Sequence, residues 1–499
     1  MKRLGEKTVT AGSERRFAAA LLLMYAYLFY RPINNTVWYK LLVVYLPFLA
    51  VLLLLALLPR LRSEKIELKL VLIFAVWVIF TRILRWDVKS YIEYCRSNDL
   101  TLPADTLIMA GAAAMYLPMA ASLILRGRSR ERFLDAVAII TASFFTLTTL
   151  FSLYAVLYKT QIRTPGGLYL CMFADSRLYV FGKNPNACGM WYFLSLSFLA
   201  YLFTRTKKRL CRVLIVLAGL LNYVILAMTF SRNAMLSFSL CTGLLVLVLV
   251  LRRFSPKTIG KKLLCTVLAL ALIVPAAYKS FRLVDAGVEK LSYVLAQKRY
   301  AAAEMQAEES SAEASGEDNT AEVLEESETE APASSPIEKD REEIEITYEN
   351  NRGFGDSGRL SIYKTIIPTM QREPLRLLIG CLNRDAMKYT SEILEREILN
   401  FHNTFLQVLC LTGVPGLLLV LALCVLLGRR VIRVIYSDAP VTISILALML
   451  VGIFSYNMLE VNLFYIMDVS TYAAYTAAGA VLAYTYERDE ESIDAKKPE

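Results

Sequence analysis

The chain holds one histidine in 499 residues, His402, in FHNTFLQ (401–407), just ahead of an apolar run. Imidazole is the side chain whose charge changes near neutral pH, so a solitary copy at the lip of such a run is a candidate proton acceptor. Asn403, Thr404 and Gln407 add polar atoms to the same first turns, and Asn403 and Gln407, four apart, share a helix face. Three further polar clusters occur elsewhere: Ser231 with Arg232 in TFSRNAM (229–235), Asn184 to Asn186 in GKNPNACGMW (182–191), and Arg359 in SGRLSIYK (357–364). Each also has a purely structural reading. His402 can be a cap-region residue satisfied by a loop carbonyl, NPN is turn and cap chemistry, and arginines commonly begin amphipathic helices. Arg232 can snorkel to an interface. Its corner has almost no loop, however, and an ionisable group held at membrane depth is expensive and therefore a functional candidate.

The elements that must position these residues are membrane helices. The chain is 56% hydrophobic, with a mean hydropathy of +0.45, and its apolar residues come in blocks rather than stripes. Blocks of about 20 apolar residues cross the hydrocarbon layer as helices, where every backbone group must be satisfied internally. Twelve spans are predicted, at 17–30, 38–58, 67–84, 105–125, 133–157, 187–204, 211–229, 233–251, 263–281, 404–427, 441–458 and 463–484. The expected fold is therefore an all-α polytopic integral membrane protein with a large outer loop containing amphipathic helices. No small-residue cleavage site follows the first apolar stretch, so no removable signal peptide is expected.

The formal charge is +10. Basic clusters occur at every second connection, at 59–65, 126–132, 205–212, 251–262 and 428–434, and before the first span. The positive-inside rule places them, and both termini, in the cytoplasm. They orient the chain and touch anionic lipid; no basic folded face suggests nucleic acid. Nine cysteines lack a metal-type CxxC pair. Cys171 and Cys188 fall in or beside one outer loop, where a disulfide is an option that spacing alone cannot establish.

This topology divides the chain into membrane helices over 1–281, an extracytoplasmic loop over 282–403, membrane helices over 404–484 and a cytoplasmic tail over 485–499. Within the loop, 283–301 has helical apolar spacing, and 302–345 is rich in Glu, Ala and Ser and is expected to be disordered. Order is expected to return with a helix capped by Ser357, carrying Leu360, Ile362, Tyr363, Ile366 and Ile367 on one side, and redirected at Pro374. A second amphipathic segment follows at 384–398. TGVPG (412–416) interrupts the tenth span, a device that kinks a membrane helix around a cavity.

Three stretches, TFSRNAMLSFSL (229–240), SGRLSIYKTIIPTMQREPLRLLIG (357–380) and FHNTFLQVLCLTGVPGLLLVL (401–421), resemble motifs of the O-antigen ligase and O-antigen polymerase superfamily. The first is similar to its Ser-Arg corner, the second to its loop segment in which an arginine starts a helix, the third to its His-Asn segment. The similarity covers mainly residues 180–430; the first five spans agree only in being hydrophobic. Members are membrane glycosyltransferases that take a glycan from a polyprenyl diphosphate on the outer membrane face and pass it to an acceptor hydroxyl.

The resemblance implies that His402 removes the acceptor proton or, alternatively, contacts the diphosphate as a cation. It implies that Arg232 and Arg359 hold the diphosphate, since guanidinium forks pair with phosphate oxygens. Asn186, Ser231, Asn403 and Gln407 are the expected substrate-binding residues, Asn403 orienting the imidazole or a sugar hydroxyl. No metal and no cofactor are expected. The expected partners are the carrier-linked glycan, a glycan, lipid or protein hydroxyl acceptor, and the bilayer. The expected place is the cell membrane with an extracytoplasmic site. A polysaccharide-related flippase or transporter is the alternative, and a scaffold for a glycan assembly complex a third class. The motifs concern donor and leaving group, so polymerase and ligase both stay open.

Overall fold

The computed structural model describes residues 18–19, 21–23, 25, 65–84, 115–123, 125–163, 169–174, 177–181, 185–254, 258–314, 359–371, 375–381, 390–392, 394, 401–461 and 469–494. The predicted spans at 17–30 and 105–125 fall largely outside these residues. The span at 38–58, Asn184, Ser357, 315–345 and most of 384–398 do so as well. The described chain is mostly helical. Long helices are α1 (Ile66–Leu84), α2 (Gly127–Leu157), α3 (Pro185–Arg205), α4 (Arg209–Met228), α5 (Arg232–Phe254), α6 (Ile259–Leu268) continuing into α7 (Val274–Ala314), α11 (Thr404–Ile435), α12 (Val441–Asn457) and α13 (Val469–Asp494). Short helices α8 (Arg359–Lys364), α9 (Ile366–Gln371) and α10 (Leu375–Ile379) precede α11. Six of the described helices are long and apolar enough to cross a membrane, namely α2 to α5, residues 260–295 and α11, with α12 a shorter apolar helix.

Several described basic residues form ion pairs where α1 and α2 begin and where α3, α11 and α13 end. Arg205 pairs with Glu131 and Asp135, Arg130 with Glu487, and Lys65 with Glu490. Arg430 bridges the buried Glu67 at 3.3 Å and Asp489 at 2.7 Å. Glu67 also accepts from the Tyr486 hydroxyl, so α1, α11 and α13 meet through one carboxylate. Arg252 donates to the Ala439 carbonyl and to Ser444 Oγ. Pairs in which one partner is exposed add little stability; the Glu67 contacts are buried and cost far more to break.

One element departs from the all-α expectation. Residues 159–186, read as loop, hold an antiparallel three-stranded meander of β1 (Gln161–Arg163), β2 (Tyr169–Ala174) and β3 (Arg177–Val180). RLYV alternates in the period of a half-buried strand: Leu178 and Val180 are buried, whereas Arg177 and Tyr179 are partly exposed. The sheet packs on α2 and leads into α3. Cys171 and Cys188 are both buried and form no disulfide. Cys171 Sγ lies 3.3 Å from Ser152 Oγ, and Cys188 Sγ accepts from the Val180 amide at 3.2 Å.

Two further differences concern the loop before α11. Helix α7 runs unbroken to Ala314 after a π-helical turn at Ala269–Ile273, so helix replaces the expected disorder over 302–314. The Glu/Ala content that starves this stretch of a core also favours helix. The TGVPG interruption does bend α11, at Gly413 (φ 69, ψ −173), but the bend is filled, not open. Gly380 (φ 75) enters it, and a Cβ there would stand 2.2 Å from the Leu411 carbonyl carbon. The Cys381 amide donates to the Cys410 carbonyl at 2.7 Å, and Trp77 Nε1 to the Thr412 carbonyl at 2.9 Å.

Candidate functional site

Away from the ion-paired end, three helices begin side by side: α3 at Pro185, α5 at Arg232 and α11 at Thr404. Proline suits the first helical position, where its missing N–H would be unpartnered anyway. Each helix carries an asparagine at or next to its start, and all three reach the turn after α12. Asn403 Nδ2 donates to the Met458 carbonyl at 2.8 Å, Asn233 Nδ2 to the Leu459 carbonyl at 3.4 Å, and Asn186 Nδ2 to Glu460 Oε1 at 2.6 Å. Thr404 Oγ1 adds contacts of 2.8 Å to Asn457 Oδ1 and to the Glu460 carbonyl. The positive ends of three helix dipoles are thereby held around one short turn.

Glu460 joins this framework to the histidine. Its side chain is 6% exposed, and its Oε2 lies 3.4 Å from Nδ1 of the partly exposed His402. A carboxylate accepts, so in the neutral ring this contact calls for the proton on Nδ1. His402 itself has left-handed backbone (φ 50), an uncommon conformation for a non-glycine residue. Its carbonyl accepts from the Tyr363 hydroxyl of α8 at 3.1 Å. Strain of this kind persists only where the surroundings fix it.

The Ser-Arg corner is fixed from the sheet. Arg177 Nη2 donates to Asn186 Oδ1 at 3.1 Å and to the Phe230 carbonyl at 3.4 Å, and its Nε donates to the Thr229 carbonyl at 3.4 Å. Phe230 is left-handed too (φ 48). Burial holds the Arg177 guanidinium below its usual range, and the nearby positive charge of Arg232 pushes the same way against Tyr179 and Glu460. Arg232 is exposed at the first turn of α5. One contiguous chain of contacts therefore runs Arg177–Asn186–Glu460–His402, with Arg232 beside its start.

The sequence-predicted residues divide accordingly. Asn186 and His402 share the cluster through Glu460, and Arg232 borders it. Asn403 caps α11, its Oδ1 accepting the Phe405 and Leu406 amides at 2.9 and 3.0 Å. Gln407 is buried and accepts the Phe401 amide at 3.1 Å. Ser231 is fully buried beneath Gly189, its Oγ accepting the Ala234 amide at 3.4 Å. These three side chains brace the lip. Arg359 opens α8, one turn before the Tyr363 that holds the His402 backbone.

Glu460 and Arg177 were missed by sequence reasoning. The signal for Glu460 was present: a lone acid in the short NMLEVN connection beside predicted polar clusters. Arg177 gives none without the strand that aims it. A separate cavity of about 370 Å³ lies between α5, α11, α12 and α13, with apolar lining that includes Leu244, Leu427, Val431, Phe454 and Tyr475. No sequence-predicted site residue lines it.

Residues 217–421 match the family model described as O-antigen ligase. This range includes Arg232, Arg359 and His402, and stops short of Glu460. No curated protein matches the chain.

Proposed function

Residues 217–421 belong to the O-antigen ligase and polymerase superfamily, and on that premise we propose that the protein transfers glycan chains in making surface polysaccharide. The donor is an oligosaccharide or polysaccharide on a polyprenyl diphosphate. The acceptor is a hydroxyl on a glycan, lipid or protein, and transfer takes place on the outer membrane face. The observation that carries this reading is His402 held by Glu460 at the same helix ends as the exposed Arg232.

In this reading the acceptor hydroxyl gives its proton to His402 Nε2 as its oxygen bonds to the anomeric carbon. The anomeric C–O bond to the diphosphate breaks, its electron pair leaves with the phosphate oxygen, and the anomeric centre inverts. Glu460 stabilises the imidazolium that forms. Arg232, beside the N-termini of α3 and α11, and Arg359 stabilise the growing charge on the diphosphate; preorganised donors of this kind contribute several kcal/mol in a dry site. The basic end of the bundle then faces the cytoplasm.

Purified protein in vesicles, supplied with a polyprenyl-diphosphate-linked glycan and an acceptor, tests the reading. A new glycosidic bond with released polyprenyl diphosphate is expected, and His402→Ala should lower turnover by about 10²–10⁴-fold while donor binding is retained. Movement of intact donor across the bilayer with no bond formed would refute transfer and make the protein a flippase.

A further inference from the structure

The corner formed by α10 and Gly380 lies deep in the bundle. Helix α12 has 17 residues, about 25 Å at the α-helical rise, against about 30 Å of hydrocarbon. A crossing α12 uses its whole length, which puts Asn457, at its C-terminal end, at the level of the membrane boundary. Thr404 is level with it, hydroxyl to amide oxygen at 2.8 Å. Leu411 to Gly413, seven to nine residues further along α11, lie about 10–14 Å below that boundary. Gly380 and Gly413 interlock at this depth: a Cβ on Gly413 would meet the Leu378 carbonyl oxygen at 2.4 Å.

Irregular backbone is tolerated there only where the protein satisfies its polar groups. The Cys381 amide bonds the Cys410 carbonyl, the Gly380 amide bonds the Arg376 carbonyl at 2.8 Å, and the Cys381 carbonyl accepts from the buried Arg82 Nη1 at 2.6 Å. The opposite side of α10 presents bare hydrocarbon. Leu375, Leu377 and Leu378 are 50%, 45% and 53% exposed. They continue an apolar belt on the same helix pair, Val414, Leu418 and Leu421 on α11 and Ile73, Val76 and Phe80 on α1, all exposed. In water three adjacent exposed leucines are costly; against acyl chains they are not.

We propose that Leu375–Cys381 is a re-entrant segment that contacts the bilayer's acyl chains through Leu375, Leu377 and Leu378. It descends from the His402 lip, anchored by Arg82 and the paired glycines, and returns without crossing. Membrane embedding alone is required for this, and glycan transfer is not.

The test places the photoreactive residue p-benzoylphenylalanine at Leu377 or Leu378 of the full chain in phosphatidylethanolamine–phosphatidylglycerol vesicles. Leu418→p-benzoylphenylalanine on α11 serves as the lipid-facing reference. Irradiation should give phospholipid adducts at 377 and 378 in yields similar to those at 418, and a membrane-impermeant maleimide should add no label to Leu378→Cys beyond that of the wild type. Adducts at 418 but none at 377 and 378, or rapid aqueous labelling of Leu378→Cys, would overturn the proposal. Adduct yields are read independently of transfer activity, so either idea can fail alone.

Discussion

Glu460 and His402 face each other across 3.4 Å, carboxylate Oε2 to imidazole Nδ1, although 58 residues separate them in the chain. The other Glu460 oxygen is fixed at 2.6 Å by Asn186, so the ring is oriented from α3 as well as from its own segment. Glu460→Gln keeps the shape and removes the charge. Turnover should fall by about 10–100-fold, the range for carboxylates that orient a functional imidazole. KM for the donor should change little. An unchanged turnover number would mean that the contact only closes the turn.

Arg232 and Arg177 oppose each other at the Ser-Arg corner. The repulsion helps hold the Arg177 guanidinium below its ordinary range, after burial as the first cause. Removing Arg232 takes away a repulsion that disfavours charged, folded Arg177, so Arg232→Ala should unfold at the same temperature as the wild type or slightly higher. It should lose transfer nonetheless, because function and stability pull apart at such sites. A large fall in Tm would instead make Arg232 a structural brace.

Arg177→Lys should fail to restore what Arg177→Ala removes. Three acceptors, the Thr229 and Phe230 carbonyls and Asn186 Oδ1, are reached by one planar fork, and an ammonium on a flexible stem cannot match that geometry. Both variants should lower turnover and loosen the left-handed Phe230, seen as faster amide exchange over 229–231. Full activity in the lysine variant would argue against a geometric role.

Gly380→Ala and Gly413→Ala should each destabilise the fold. Left-handed backbone costs an alanine about 1–2 kcal/mol, and the added methyl carbon would stand 2.2 Å and 2.4 Å from backbone atoms of the partner corner. Urea or thermal unfolding in detergent checks this. Gly428→Ala, where a Cβ meets nothing within 4 Å, is the control and should be neutral or stabilising.

Cys171 should stay reduced and unreactive. Burial raises its thiol to about 11, with Ser152 offsetting part of the shift. A raised thiol pKa favours the folded state below the ordinary value of 9.0, and that contribution is lost as pH rises from there toward about 11. Iodoacetamide at pH 8 should therefore not modify Cys171 in the folded protein, and non-reducing mass spectrometry should find no bridge to Cys188. A Cys171–Cys188 peptide would contradict the sheet packing.

Six of the predicted membrane helices have long apolar counterparts in the fold, and they were legible because their signal is local: apolar blocks, with Arg and Lys where many of them end. The Ser-Arg corner, the His-Asn lip and the bend at Gly413 were legible for the same reason. Glu460 and Arg177 were not, because their meaning lies in partners 58 and 9 residues away and in a strand that a loop-rich segment concealed. Asn403, Gln407 and Ser231, read from the sequence as substrate-binding, accept backbone amides in the fold. A polar side chain at a helix start serves as cap or ligand with the same letter, and only geometry separates the two.

The turn that receives Asn403, Asn233 and Asn186 on three consecutive residues has a further consequence for how this protein can vary. A single inserted residue between Met458 and Glu460 would displace the chain by about 3.3 Å and unseat all three helix starts at once. Its length is thus expected to resist drift and engineering alike, and chimaeras that splice α12 and α13 onto another protein should be joined well outside it.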